Sequence, residues 1–413
     1  MSEIHLKDIL DKKHALYQLA DRLNWESLIE GFGPYYADGP GRPEISIRII
    51  VGLHYLKYLE SESDVSVVEK FCENPYWQYF CGLETFQHKL PCHPTTLVKW
   101  RKRVGEKGVE KLLFHTIDTA KREALLPEKL LNKVNVDTTV QEKSVTFPTD
   151  AKLCHRVRIK LVIEAKKKGL NLRQTYTRLS RRASIMQARY AHAGQMKRSK
   201  KELKKIKSYL GRVVRDINRK ADLTKDCAFA FLVAQADKLL GQKKDTPNKL
   251  YSLHAPEVEC IAKGKAHKRY EFGCKVSIVT TCKDPWVLSA MAHHDNPYDG
   301  ATLKECLKKA ESNSQNKIDF AFADKGYKGK KHHPDDVKVF ISGKKNLPRS
   351  LTKLLKGRSG IEPIIGHLKQ DHRLSRNHLL GKIGDRINAI LSGCAFNLKK
   401  IMRLITIKDN CMA

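Results

Sequence analysis

The sequence has no run of the roughly 18 uninterrupted apolar residues that a membrane-spanning helix needs. Its start, Met1-Ser2-Glu3-Ile4-His5-Leu6-Lys7-Asp8, also lacks a basic segment followed by an apolar one, so neither a span nor a secretory leader is expected and a cytoplasmic protein is. Among 11 cysteines no two form a C-x-x-C pair, and an odd number of scattered thiols argues for a reduced compartment rather than a disulfide framework. Cys92-His93 and the two His-His pairs have no ligand spacing on either side, so a zinc site is not the expected reading. No repeat at solenoid spacing is present. Proline and glycine are modest and 41% of residues are hydrophobic, which excludes a disordered chain and allows 413 residues to build two or three domains with a substantial core.

Acidic residues are also scarce, 45 against 78 Lys and Arg, for a net charge of +33. The deficit is concentrated: residues 151–220 hold 23 Lys and Arg against Glu164, Glu202 and Asp216, so this block carries +20 of the total. Leu203, Ile206, Leu210, Val213, Val214 and Ile217 recur at spacings of three and four, predicting a helix with basic residues on its other faces. A merely solvated face would mix both signs. One dominant sign favours nucleic acid, and the sparse aromatics (Tyr176, Tyr190, Tyr209) favour the backbone of double-stranded DNA over stacked single strands. A membrane-surface helix would need a long apolar face with aromatic anchors, which is missing. Lys200, Lys201, Lys204, Lys205 and Lys207 are the candidate phosphate contacts.

Residues 1–125 read as mainly helical. Ile45, Ile49, Leu53 and Leu56 mark one helix after the turn Asp38-Gly39-Pro40-Gly41-Arg42-Pro43, and a second follows Pro94, with Thr95 or Thr96 as its cap. Such helices suit a DNA-binding unit of helix-turn-helix type, or equally a packing or dimerisation domain. From about 131 the period changes: strands are expected at Val134–Val140, Ser144–Phe147, 273–280, 287–291, Ile318–Ala323 and Val337–Ile341, with a helix from Leu303 to Ala310 that Asp299 can cap. The expected class is an α/β sheet preceded by a mainly helical N-terminal domain, with the basic helical block, about 151–250, inserted as a long excursion.

Three acids stand out against this background. Asp137 lies in the β-branched run Val134-Asn135-Val136-Asp137-Thr138-Thr139-Val140, and Asp324 ends a strand just before Lys325-Gly326-Tyr327. Glu362 follows Arg358 by four residues and precedes Lys369 and Arg373 by seven and eleven, all near one helical face if the helix is continuous. Pro363 fits only a first helical turn or a kink, which places Arg358 on the approach to the helix. Singly, each acid is as well explained by an edge residue, a loop or a surface ion pair. Together, in a basic protein, they point to a divalent-metal site that handles phosphodiesters.

This order, strand-Asp, strand-Asp, then Arg-x3-Glu-x6-Lys, resembles the DDE transposases of bacterial insertion sequences, specifically the insertion-sequence-five-like group. The likeness extends over most of the chain, including Asn296-Pro297-Tyr298-Asp299-Gly300 and Ala323-Asp324-Lys325-Gly326-Tyr327. One departure is Leu355, where the family signature has tyrosine. The resemblance implies an RNase H-like catalytic domain spanning 126–413, with Asp137, Asp324 and Glu362 holding two ions of Mg²⁺, or Mn²⁺, about 3.5–4 Å apart. It implies that Arg358 and Lys369 hold phosphates; Arg373, on the same expected helical face, is a further candidate DNA contact by its spacing and charge. It implies partners too: element-end and target double-stranded DNA, and a homodimer or larger assembly in a nucleoid-associated bacterial protein. The expected function is a transposase that binds terminal inverted repeats, cleaves and transfers strands. The alternatives are a nuclease of the same fold without strand transfer, or a non-catalytic DNA-binding descendant.

Overall fold

The computed structural model describes residues 4–36, 45–243, 245–262 and 268–412, and the expected turn Asp38–Pro43 lies outside them. The chain divides into two compact units, one of residues 1–142 with 274–413 and one of residues 143–273.

The first unit starts with seven helices: α1 (Leu6–Ile9), α2 (Ala15–Arg22), α3 (Trp25–Phe32), α4 (Ile47–Leu59), α5 (Asp64–Phe71), α6 (Pro75–Phe80) and α7 (Pro94–Arg122). Most of their starts are capped by a local side chain, though α1 and α4 have no such cap. Asn24 and Asn74 accept from amides of the first turns of α3 and α6, Ser63 and Ser66 form a capping box on α5, and Pro75 and Pro94 sit where a missing N–H costs nothing. The cap of α7 is His93, which accepts from the Thr95 amide, in place of the expected Thr95 or Thr96. At Gly105 (φ 61°, ψ −165°) the helix is broken, a conformation open to glycine because it has no Cβ. In α4, Ile50 to Leu59 are buried without interruption, as suits a helix surrounded by others.

Strand β1 (Lys133–Lys143) follows. Ser144–Phe147, expected as a strand, is irregular: the chain leaves the ladder at Ser144 and runs into the next helix. The second unit holds α8 (Asp150–Lys167), α9 (Thr177–His192), α10 (Met196–Lys220), α11 (Cys227–Gly241) and strand β2 (Glu259–Ala262), which pairs antiparallel with Tyr270–Gly273. Ile206, Leu210, Val213, Val214 and Ile217 of α10 are buried with Leu153, Val157 and Leu161 of α8 and Val233 and Leu239 of α11. The buried Asp216 carboxylate accepts from the Arg173 amide at 2.7 Å and so ties α10 to the segment before α9.

Strand β3 (Tyr270–Thr281) leads back into the first unit, followed by β4 (Val287–His293), α12 (Asp299–Ser314), β5 (Phe320–Ala323), β6 (Lys338–Ile341), α13 (Arg349–Lys356), α14 (Ile361–Gln370), β7 (Arg376–Asn377) and α15 (Gly381–Met412). The sheet order is β4-β3-β1-β5-β6, with β7 on β1. β3 and β4 are antiparallel, whereas β5 is parallel to both β1 and β6. Asn135, Val136, Thr138, Thr139, Val140 and Gln141 are all buried, so β1 is covered on both faces, as a strand with parallel pairing usually is.

Leu28, Leu53 and Trp100 belong to the same continuous core as Val134, Val136, Ala321 and Leu391. Much of the helical region before residue 125 therefore shares one hydrophobic core with the strands after it, while Leu6, Leu10 and Tyr17 form a smaller cluster among the N-terminal helices themselves. Against another face of the sheet, Ile361, Ile364 and Leu368 of α14 pack on Cys274, Val276 and Ile278 of β3. Spacings of three and four turn those three onto one side of the helix.

Candidate active site

Parallel pairing of β1 and β5 aligns Lys133 with Phe320, Val134 with Ala321 and Asn135 with Phe322. Two residues beyond that last pair, on both strands, stand Asp137 and Asp324. Because strand side chains alternate faces, a step of two keeps both acids in register on one face where β5 ends. Asp324 remains extended (φ −79°, ψ −177°), and its Oδ1 accepts from the Gly326 amide at 2.8 Å. Asp137 Oδ1 accepts from the Thr138 amide at 2.8 Å.

Glu362 lies in the first turn of α14, with Pro363 next to it in the same turn, where its ring is tolerated. Its side chain is 65% exposed, in contrast to Asp137 at 17%. Arg358, on the single 3-10 turn before α14, lies between these acids: Nη1 is 3.5 Å from Asp137 Oδ2 and Nη2 is 3.8 Å from Glu362 Oε1. Arg358 thus links Asp137 of β1 to Glu362 at the start of α14, while Asp324 stands next to Asp137 by register at the end of β5.

Sequence reasoning assigned Asp299 to a cap. The cap position of α12 is Tyr298, and Asp299 in its first turn is instead a member of the acidic cluster. A methyl group on Gly326 would stand 2.9 Å from Asp324 Oδ1 and 3.2 Å from Asp299 Oδ2, so both carboxylates crowd that glycine. Lys275 of β3 neutralises Asp299 at 2.9 Å and donates also to the Pro297 carbonyl at 2.7 Å. Tyr327 is buried beneath. Burial, with Cys306, Asp137 and Asp299 adding to it, pushes its phenol well above the usual range. Asp299 sits in Asn296-Pro297-Tyr298-Asp299-Gly300, a run whose turn chemistry explains the acid locally and hides its distant partner.

The basic residues divide. Lys369 is half-buried in the last turn of α14. Arg373 is not on that helix: α14 ends at Gln370, Arg373 takes a left-handed φ of 65°, and its guanidinium donates to the Ser61 carbonyl at 2.7 Å. The shared face expected for Glu362, Lys369 and Arg373 therefore stops at Lys369. In the second unit, Lys200, Lys201 and Lys204 are exposed on α10, and Lys205 is exposed but paired with Glu202 at 2.7 Å. Lys207 differs from them. It is half-buried and donates to the Gln242 carbonyl at the end of α11 at 2.9 Å, so its role is to close a helix terminus.

Residues 4–103 match the family model described as a transposase domain, and residues 252–398 match the transposase DDE domain. The second match takes in Asp299, Asp324, Arg358 and Glu362 and begins after Asp137. The chain is 46% identical over 190 residues to "Uncharacterized protein ORF8 in nfe locus" of Rhizobium meliloti, which covers 46% of this chain and 91% of that protein. No solved structure matches.

Proposed function

The chain belongs to the DDE transposases of insertion sequences, and from that membership we propose that it binds the terminal inverted repeats of its own element, cuts at the ends and joins them to target DNA. The observation that carries this reading is the register of Asp137 and Asp324 on adjacent parallel strands, with Arg358 linking Asp137 to Glu362. The RNase H-like reading of the catalytic fold is supported by the mixed sheet that sets two acids side by side near its centre.

The donor set fits a divalent cation. Three carboxylates offer hard oxygens, and the guanidinium between two of them supplies positive charge where a cation would otherwise supply it. Asp137, Asp324 and Glu362 would hold Mg²⁺ or Mn²⁺, two ions in all; bound there, the ions would activate a hydroxyl for in-line attack on phosphorus and stabilise the leaving oxygen. The chain's own residues do the rest. Arg358, released from the acids, turns a bidentate donor toward the scissile phosphate, and Lys369 in the last turn of α14 contacts a neighbouring one. Lys275 fixes Asp299 beside Gly326, keeping the loop after β5 in the shape that presents Asp324. In the second unit, Lys200, Lys201 and Lys204 contact duplex backbone, which positions the protein without reading sequence.

The test is an oligonucleotide assay with element ends, first uncut and then precut, in Mg²⁺. Cleavage of the uncut ends and joining of precut ends to a plasmid are expected. Cleavage without joining would leave a nuclease, and neither activity would leave a DNA-binding descendant.

A further inference from the structure

Cys274, His294 and Asp385 each place one ligand atom within 4.8 Å of the other two. We propose that this trio is a second metal site, for zinc, built into the core of the first unit and separate in chemistry from the three carboxylates. The register of β3 and β4 brings two ligands together: Lys275 pairs with His293, so one step outward Cys274 faces His294. Asp385, near the start of α15, supplies the third. Successive strand residues face opposite sides, so Lys275 reaches Asp299 while Cys274 turns into the apolar cluster with Ile361 and Ile364.

The donor set selects the metal. A thiolate and an imidazole suit Zn²⁺ and exclude Mg²⁺, which takes oxygen. Tetrahedral zinc, with bonds of about 2.0–2.3 Å, holds its ligand atoms roughly 3.3–3.8 Å apart. His294 Nε2 is already 3.7 Å from Asp385 Oδ2, and the cysteine sulfur lies within 4.8 Å of a ligand atom on each, which gives three protein ligands and leaves the fourth tetrahedral position to water. The His294 and Asp385 side chains are 4% and 5% exposed and Cys274 is buried. A thiolate, a carboxylate and a neutral imidazole carry two negative charges, which Zn²⁺ cancels, so the occupied site is neutral where burial penalises charge. Cys274 binds as the thiolate, and its proton passes to solvent as the metal enters.

The surroundings hold the ligands in place as second-shell partners of a metal site do. Asn377 Nδ2 donates to Asp385 Oδ1 at 2.6 Å, and Gln141 Nε2 donates to Cys274 Sγ at 3.6 Å and to the Asp385 carbonyl at 3.0 Å. Asn388 Nδ2 in turn fixes Gln141 Oε1 at 2.9 Å, and the Tyr58 hydroxyl fixes Asn388 Oδ1 at 2.8 Å. Zinc here would staple the β3–β4 hairpin to α15.

The experiment is elemental analysis of the full-length protein purified from zinc-supplemented medium, with cobalt substitution alongside. About one zinc per chain is expected, as for a mononuclear site. It should persist when Asp137→Asn, Asp324→Asn and Glu362→Gln are combined, and fall to near zero in Cys274→Ser and in His294→Gln. Cobalt should give the visible bands of tetrahedral geometry and a thiolate-to-metal charge-transfer band that Cys274→Ser abolishes. Chelation should lower the wild-type melting temperature and leave that of Cys274→Ser unchanged. If either variant fails to fold, the charge-transfer band of the wild type decides alone. Metal-free wild type, with no cobalt band and no response to chelator, would overturn the proposal and leave a hydrogen-bonded core cluster; zinc retained by both variants would do the same.

Discussion

Arg358 lies 3.5 Å from the Asp137 carboxylate, joining two residues 221 positions apart in the chain, and the same guanidinium reaches Glu362 at 3.8 Å. The contact places one positive charge among the acids before any cation or DNA arrives. A single arginine offsets part of the repulsion among converging carboxylates, and its side chain is only 14% exposed, so water screens it little on the Asp137 side. On the Glu362 side the pair is open to solvent and correspondingly weak.

Arg358→Gln is therefore expected to have two opposite effects. Removing a positive charge from between the acids should tighten Mn²⁺ binding by about tenfold, on the order of 1.4 kcal/mol, while cleavage falls because a phosphate contact is lost. Calorimetric titration of Mn²⁺ without DNA reads the first effect. Unchanged Mn²⁺ affinity would show that the guanidinium does not compete with the cation.

Asp137→Asn, Asp324→Asn and Glu362→Gln should each abolish Mg²⁺-dependent cleavage and leave binding to end DNA largely intact, since phosphate contacts elsewhere persist. Cleavage and gel-shift assays on the same preparations separate the two. Near wild-type cleavage by any one variant would remove that residue from the site.

Gly326→Ala tests the crowding around Asp324. The added methyl would meet Asp324 Oδ1 at 2.9 Å and Asp299 Oδ2 at 3.2 Å, so one carboxylate must shift. Cleavage should fall by at least tenfold, since displacement of a ligand by about 1 Å is costly to a positioned reaction. The melting temperature should change little, as the position is at the edge of the site. Full activity would mean that the Asp324 loop adapts freely.

A buried charge cluster in the N-terminal helices predicts a pH dependence of stability. Burial, then the Arg101 charge beside it, holds the His54 imidazole down to about 3, and Arg101 Nη1 lies 3.2 Å from its Nε2. Burial alone would raise the Asp64 carboxyl, but Arg101 at 2.6 Å and Lys57 at 2.8 Å outweigh it and hold the group well below the usual carboxylate range. Both folded-state values are depressed, so both groups favour the folded state above their unfolded pKa values and cost stability as pH falls. For His54 the loss runs from about pH 6.5 downward, at about 1.4 kcal/mol per pH unit. Urea unfolding at pH 7, 6 and 5 should show His54→Gln losing less stability with acid than wild type. Parallel curves would mean that His54 does not titrate on unfolding.

What is legible in the sequence is what neighbouring residues decide. The β-branched run around Asp137, the strand ending at Asp324 and the apolar stripe of α10 all follow from local pattern, and Pro363 correctly confines Glu362 to a first turn. Arg373 was legible only if the helix continued, and the left-handed residue that ends it carries no glycine to announce it. Ser144–Phe147 has strand-like residues but no partner strand. Asp299 and the trio Cys274, His294 and Asp385 depend on antiparallel register and on a helix starting over 100 residues after β3 begins, relations that no local spacing encodes. The shared core of Leu53 and Leu391 likewise appears only when distant segments pack.

The basic face of α10 distinguishes charge that meets DNA from charge that holds the fold. Lys200, Lys201 and Lys204 are exposed, whereas Lys207 closes the end of α11 at the Gln242 carbonyl. If the three exposed lysines each neutralise one phosphate, replacing them together by glutamine should flatten the slope of log affinity against log salt by about 2.7, since each contact contributes about 0.9. Random and element-end DNA should weaken alike, because these contacts carry no sequence information. Lys207→Gln should leave the slope nearly unchanged and lower stability by roughly 1–3 kcal/mol, the cost of stranding a carbonyl that a charged donor had satisfied. Fluorescence anisotropy over a salt series, with urea unfolding of the same proteins, measures both. A full salt slope in the triple variant would show that α10 does not lie on DNA, and a flattened slope in Lys207→Gln would show that its ammonium leaves Gln242 for a phosphate.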